Sequence, residues 1–236
     1  MGRPHRIDTP SALHHVTGRG NAGLPIFSSD EDRDAFLGIS LDVSAGAGWS
    51  VLAYCLMANH YHLVLETPDG GLARGMHLLA CRYVRRRHAR HGTRGRVFGE
   101  RYWSTVIRDA AQLAATIRYV VMNPVAAELV QTPGAWIWSS HRAVVHEDGT
   151  LVAGRRLLEL LGGSDPSRAY RELVGDGDER IPAPRKIVRL PQLAEILADG
   201  SGAAIRAAVA DGYSLRAIGV ELGLSAATVH RRLREG

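Results

Sequence analysis

Residues 49–66 read WSVLAYCLMANHYHLVLE. The run 49–57 is rich in β-branched, aromatic and aliphatic residues, Ala58-Asn59 is a tight turn, and 60–66 is its partner, so the stretch predicts a β-hairpin. Alternate residues of a strand share a face. His60, His62 and Val64 therefore point one way, and Tyr61, Leu63 and Leu65 the other. The apolar set can pack beneath helices, which leaves both imidazoles on the opposite face. Two imidazoles two residues apart on a strand can grip one divalent ion, although a His-x-His pair by itself is commonly just two surface histidines. A third ligand decides the matter. Glu66 shares the face, but four residues along a strand is ~13 Å from His62, too far for the same ion.

Working outward, 13–19 alternates and runs into the turn Gly18-Arg19-Gly20, which predicts a strand. Ser29 or Asp30 can cap a helix reaching about residue 45, with Phe36, Leu37 and Leu41 as its apolar stripe. A long helix is expected over 72–90, a short strand over 104–108, and a further helix over 110–122 stopped at Pro124, since a residue before proline avoids the helical region. Strand, helix, hairpin, helix, strand, helix predicts an α+β domain with one antiparallel sheet, helices on one face, and the other face left to bind something. This domain is expected to occupy 1–150. Two short helices (155–161 and 167–174) and a polar, glycine- and proline-containing linker at 175–184 form an extension over 151–184. A helical module fills 185–236.

The chain has 236 residues, 45% of them hydrophobic, enough for a real core. No apolar run reaches the ~18 residues of a membrane span, and residues 1–10 lack the apolar segment of a signal peptide. The expected location is cytoplasmic. Two cysteines, Cys55 and Cys81, make neither a disulfide framework nor a four-cysteine zinc site. The charge is uneven. Between Arg74 and Arg108 ten arginines face one acid, Glu100, a local +9 against +5 for the whole chain. A cluster of one sign repels itself without a partner, so it suggests a phosphate-binding surface. Arg82, Arg85, Arg86 and Arg90 are expected to line one helix face, with Arg94, Arg96 and Arg101 beyond it and Arg19 in the glycine turn.

Asn123 is the candidate third ligand. It lies four residues after Tyr119, so the two share a helix face. A tyrosine beside a divalent cation is a candidate nucleophile, because the cation polarises the phosphate it attacks. At the C-terminal end, 214–233 has the pattern of a helix-turn-helix. Ser214 caps a helix with Ile218 and Leu222 inward, Gly223 makes the turn, and Ser225 caps a second helix with Val229 and Leu233 inward. Thr228, His230, Arg231 and Arg234 are expected on the exposed face, with Thr228 and Arg231 toward DNA.

The segment Met57-Ala58-Asn59-His60-Tyr61-His62-Leu63-Val64 resembles the HUH motif of single-tyrosine HUH transposases, and Arg118-Tyr119-Val120-Val121-Met122-Asn123-Pro124-Val125 resembles their tyrosine helix. With Gly18-Arg19-Gly20-Asn21, Arg96-Val97-Phe98-Gly99-Glu100-Arg101-Tyr102 and Trp138-Ser139-Ser140, the resemblance is to REP-associated tyrosine transposases and covers roughly residues 10–145. Ala58 departs from the proline many relatives carry there, which alters the turn rather than the ligands. The resemblance implies a ferredoxin-like sheet, Mg²⁺ or Mn²⁺ held by His60, His62 and Asn123, and attack by Tyr119 on a DNA phosphate to leave a 5′-phosphotyrosine and a free 3′-hydroxyl. It implies single-stranded DNA with REP-like hairpins as the partner and a monomer or homodimer. Many family members lack the C-terminal module, which would add duplex DNA binding. Two rival readings remain: a non-catalytic DNA-binding regulator derived from a transposase, and an iron oxygenase, for which the sequence offers no clear carboxylate partner.

Overall fold

The computed structural model describes residues 10–148, 150–162, 164–175 and 181–235. The leader expectation rests almost wholly on 1–9, and part of the linker expectation on 176–180; both segments lie outside the described residues. Among the described residues no helix is long and apolar enough to cross a membrane.

The first domain runs β1 (Ala12–Arg19), α1 (Asp30–Ala47), β2 (Ser50–Leu56), β3 (His60–Thr67), α2 (Leu72–His91), β4 (Trp103–Ile107) and α3 (Ala110–Ala126). Its strands form one antiparallel sheet in the order β2-β3-β1-β4. The predicted hairpin is β2 and β3. Ser29 caps α1 as expected, its side chain accepting a hydrogen bond from the Asp32 amide. Helix α3 does not stop before Pro124 but continues through it to Ala126. Proline removes one helical donor, yet Pro124 is buried in the contact between α3 and its surroundings, and that packing outweighs the local preference.

The sheet's two faces differ from the expectation. Tyr61 packs against Phe36 of α1 and Phe98, and Phe36 against Tyr83 of α2. That face is covered by α1 and α2, as predicted. The His62 face is not left open across its width. Helix α3 lies over β2 and β3 through Leu113, Ile117, Val120 and Val121, all buried. Helices α5 (Gly154–Leu161) and α6 (Pro166–Val174) pack beside it. The physical reason is that α3 is apolar on the side away from Tyr119, and that stripe needs a partner. Only the β1–β4 half of this face stays accessible: Leu13, His15 and Thr17 are half-buried, while Arg19, Trp103 and Thr105 are exposed.

The remaining quoted motifs fasten the sheet's margins. At the β2 edge, the Trp138 carbonyl accepts from the Leu56 amide and Ser140 Oγ from the Tyr54 amide. The segment 97–99 pins the glycine turn, with the Val97 carbonyl accepting from Asn21 and the Arg19 carbonyl from Gly99. Gly18 is needed because a Cβ there would lie 2.5 Å from the Tyr61 ring.

Helices of the segment expected as an extension pack into the main core. Leu151, Val152, Leu157, Leu158, Tyr170 and Val174 join the main hydrophobic cluster, as does Ile187 from the segment expected in the C-terminal module. Helix α4 (His141–Val145) meets α6 through His141, whose Nδ1 lies 3.0 Å from the Tyr170 hydroxyl. Burial, reinforced by Arg171 and Arg142, pushes the His141 imidazole down to about 4. The unfolded chain takes up this proton below about 6.5 and the native chain only below about 4, so stability falls as pH drops through that window. The loss is on the order of 3 kcal/mol at roughly 1.4 kcal/mol per unit. Urea unfolding at pH 7 and pH 4.5 is expected to show it, with a visibly shallower pH dependence in His141→Gln.

The C-terminal module has its own core of Leu197, Ala204, Ile205, Ala208, Ile218 and Val229. It contains α7 (Leu193–Ile196), α8 (Gly202–Ala210), α9 (Leu215–Leu222) and α10 (Ala226–Glu235). Helices α9 and α10 meet at Gly223, a left-handed C-cap, with Ser214 and Ser225 accepting from the backbone amides of Ala217 and Thr228. Helix α8 packs on α2.

Candidate active site

His60 and His62 reach the same face from β3, and α3 brings Tyr119 and Asn123 over them. The Asn123 carboxamide sits between the two imidazoles: its Oδ1 is 3.3 Å from His60 Nε2 and its Nδ2 is 3.4 Å from His62 Nε2. The Tyr119 ring stands edge-on to His62 at 5.3 Å between centroids, and its side is turned to solvent, 55% exposed. The four candidate residues, scattered over sixty positions of sequence, therefore meet at one place.

Each imidazole is held from behind. His60 Nδ1 lies 2.7 Å from Asn59 Oδ1, and His62 Nδ1 lies 3.0 Å from His15 Nε2. The His15 and His62 rings are also stacked, 5.2 Å apart at 21°. If each Nδ1–H donates to its neighbour, both Nε2 lone pairs point at the Asn123 side, the arrangement of a metal-ligating histidine with a supporting acceptor. Burial lowers all three imidazoles below their ordinary range. For His62, pushed down to about 3, the next causes are His15 and His60; for His60, the nearby Arg19 adds to the effect. Neutral imidazoles are ligands that need not shed a proton to bind.

The donor set fits a divalent cation. His60 Nε2 and Asn123 Oδ1, 3.3 Å apart, are close to the ~3 Å separation that bonds of ~2.1 Å impose on neighbouring ligands in an octahedral shell. Among the described residues no three His, Cys, Asp or Glu side chains are placed to hold one metal ion, so a cation here would take an amide oxygen as its third protein ligand. With no carboxylate in the set, its charge would need an external anion. Glu66 is not available: its carboxylate accepts from Arg156 at 2.8 and 3.1 Å.

The arginine cluster does not form one surface. Arg82 is buried, with both Nη atoms 3.2 Å from Asp42 Oδ2 and its guanidinium 4.3 Å from the Tyr213 ring centroid. Arg85 donates to the Gly212 carbonyl and Arg86 pairs with Asp211. Gly212 sits at φ 87° against the Arg82 backbone, where no side chain fits. These three arginines fasten the C-terminal module to α2, on the face of the sheet opposite the histidines; Arg82 is buried and Arg86 half-buried, so these two are not part of a free phosphate-binding surface, while Arg85 stays exposed. Arg90 pairs with Glu31 at 3.1 Å. Arg94, Arg96 and Arg101 are exposed, and the last two line a cleft of about 480 Å³ with Tyr61, His77 and Phe98. Arg19 is brought to the site, paired across the sheet with His60. In α10, Arg231 is exposed, as are His230 and Arg234, whereas Thr228 is half-buried with its hydroxyl 2.9 Å from Ser225 Oγ.

His15 and Asn59 escaped the sequence reading. Asn59 was visible only as a turn residue. His15 lies in phase with Thr17 and Arg19 on β1, but its meaning depends on the register that sets it opposite Val64, next to His62.

No protein-family model matches the chain. Over 111 residues it is 28% identical to a protein of Haemophilus influenzae named as a REP-associated tyrosine transposase. That match takes in 42% of this chain and spans 63% of the relative's length. The fold is similar to a solved structure of a REP-associated tyrosine transposase bound to a REP hairpin, with a TM-score of 0.54 and 16% identity over 80% of this chain and 99% of the other. The resemblance carried by the sequence motifs is borne out by both.

Proposed function

We propose that this chain is a DNA strand transferase that nicks and rejoins single-stranded DNA beside a hairpin, with Tyr119 as nucleophile. The observation that carries this reading is the convergence of His60 Nε2, His62 Nε2 and the Asn123 carboxamide beneath an exposed Tyr119. The similar proteins are named as transposases, and the similar solved structure holds a REP hairpin, which supports a hairpin-bearing DNA as substrate. The strand order β2-β3-β1-β4 with its two crossing helices supports a ferredoxin-like description of the sheet.

In the proposed step, Tyr119 Oη attacks a phosphorus atom and the bond to the 3′-oxygen breaks. The phenol loses a proton and the departing 3′-oxygen gains one, leaving a 5′-phosphotyrosine and a 3′-hydroxyl. The phosphodiester's free energy is kept in the new ester, so the reverse attack rejoins a strand without ATP. His60, His62 and Asn123 would hold Mg²⁺ or Mn²⁺, which when bound supplies charge stabilisation at the attacked phosphate. His15 and Asn59 would hold the two imidazoles in one orientation. Arg19 would meet a neighbouring phosphate. Because the donor set carries no negative charge of its own, a substrate phosphate would supply it, which favours a nucleic-acid substrate over small-molecule oxidation. In the C-terminal module, α9 and α10 would act as a helix-turn-helix presenting Arg231 and Arg234 to duplex DNA.

The direct test is incubation with labelled single-stranded hairpin DNA from the flanking genome, followed by denaturing electrophoresis. A covalent adduct that depends on Mg²⁺ or Mn²⁺ and disappears with EDTA is expected; cleavage indifferent to EDTA contradicts the reading. His62→Ala is expected to weaken Mn²⁺ binding, followed by electron paramagnetic resonance, by more than the 10- to 100-fold typical of losing a supporting residue. Unchanged Mn²⁺ affinity in that variant removes His62 from the ligand set.

A further inference from the structure

We infer that Trp103 is a stacking platform for an unpaired DNA base, set at the edge of the sheet beside the Tyr119 site. The inference rests on the reading of that site as one for single-stranded DNA, and names a binding position it does not contain.

Trp103 opens β4, the edge strand, and is 67% exposed. The other three tryptophans have structural employment. Trp49 and Trp138 are buried, and Trp136 is half-buried with its indole N–H donating to the Leu56 carbonyl at 3.2 Å. Trp103 is thus the one tryptophan with most of its ring surface in water, open to a stacking partner.

The register fixes which face it uses. Trp103 pairs with Thr17, and Thr17 with His62, so the three lie in one row on the same side of the sheet. At ~4.8 Å per strand, the Trp103 backbone is ~10 Å from that of His62. A base resting on the indole therefore belongs to a nucleotide close to the phosphate presented to Tyr119. Helix α3 covers β2 and β3 but leaves this row's outer end uncovered, with Thr105 exposed in the next row.

The surroundings select the occupant. Arg19 stands exposed on the same face opposite His60. Thr17 and Thr105 complete a polar border. An aromatic ring on the same face as an arginine and bordered by hydroxyls suits a base with its phosphate, a combination that accepts any sequence because every base has a π-face. A second copy of the chain docking here would call for an apolar border, which this edge lacks.

The test is a titration of the full chain with a short oligodeoxythymidine, followed both by tryptophan emission and by anisotropy of the labelled DNA. Quenching of the exposed tryptophan is expected in the wild type and its loss in Trp103→Phe. Affinity is expected to fall about 5- to 100-fold in Trp103→Ala and to be largely kept in Trp103→Phe, where a ring remains. Equal affinity in wild type and Trp103→Ala overturns the proposal, as does an oligonucleotide that fails to bind the wild type. A change of oligomeric state in Trp103→Ala by sedimentation velocity, with DNA affinity unchanged, overturns it in favour of a subunit contact. The hairpin adduct assay separates the two readings: adduct formation with no Trp103 effect leaves the Tyr119 reading standing alone, whereas Trp103-dependent binding without any adduct leaves only the platform.

Discussion

Tyr119→Phe removes one oxygen atom and is expected to abolish the covalent protein–DNA adduct. The phenylalanine ring keeps the edge-on contacts with His62 and His15, which lie at 5.3 and 5.9 Å between centroids. Since the residue is mostly exposed, its hydroxyl contributes little to folding. The loss should therefore be chemical rather than structural. Removing a nucleophile that acts with a set of partners costs orders of magnitude, here on the order of 10³-fold or more in adduct formation. Hairpin DNA binding, by contrast, is expected to stay within a few-fold of wild type. Persistence of the adduct in Tyr119→Phe would assign the nucleophile elsewhere, and a variant that neither binds DNA nor melts like the wild type would make Tyr119 a packing residue.

The second large effect is expected far from that chemistry. Arg82→Ala should destabilise the chain by about 3 kcal/mol, the lower end of the range for breaking a buried ion pair. Both partners are nearly inaccessible, with side chains 6% and 5% exposed. Removing Arg82 strands the Asp42 carboxylate, while Gln192 and Arg189, 3.2 and 3.5 Å from its other oxygen, offset part of the cost. The guanidinium also covers the Tyr213 ring, so α2 loses part of its hold on the C-terminal module, leaving Arg85 and Arg86 to keep the rest. Thermal and urea melts are the measurement. Arg101→Ala, at an exposed position, is expected to change stability by less than about 0.5 kcal/mol and to weaken DNA binding instead. Were Arg82→Ala to melt like the wild type and lose DNA affinity, the structural role assigned to this arginine would be wrong.

The contrast between these arginines marks where sequence reasoning stops. Ten arginines within thirty-five residues announce a positive field, but charge along a chain carries no information about which carboxylate lies opposite. Asp42 and Asp211 are 40 and 125 residues from the arginines they meet, and those pairings turn part of the cluster into a fastening between modules. The same limit hid the second layer of the sheet. The alternation in β3 correctly separates Tyr61 and Leu63 from His60 and His62, yet it cannot tell that α3 returns over the histidine side. The overrun of α3 past Pro124 has the same origin, since a tertiary contact compensates for one missing donor.

By itself the sequence determined the hairpin, its phase, the helix caps at Ser214 and Ser225, the first helix's cap to within Ser29 or Asp30, and the sharing of a helix face by Tyr119 and Asn123. All of these follow from periods of two and 3.6 residues and from local hydrogen bonds, which a linear chain records. Only the tertiary structure decided that β3 and α3 meet so that four side chains converge, that His15 stands behind His62, that Arg82 and Arg86 pair with distant carboxylates, and that Trp103 faces the site from an open edge. Those outcomes depend on strand register and layer order, which are settled by burying apolar stripes against one another over long sequence separations.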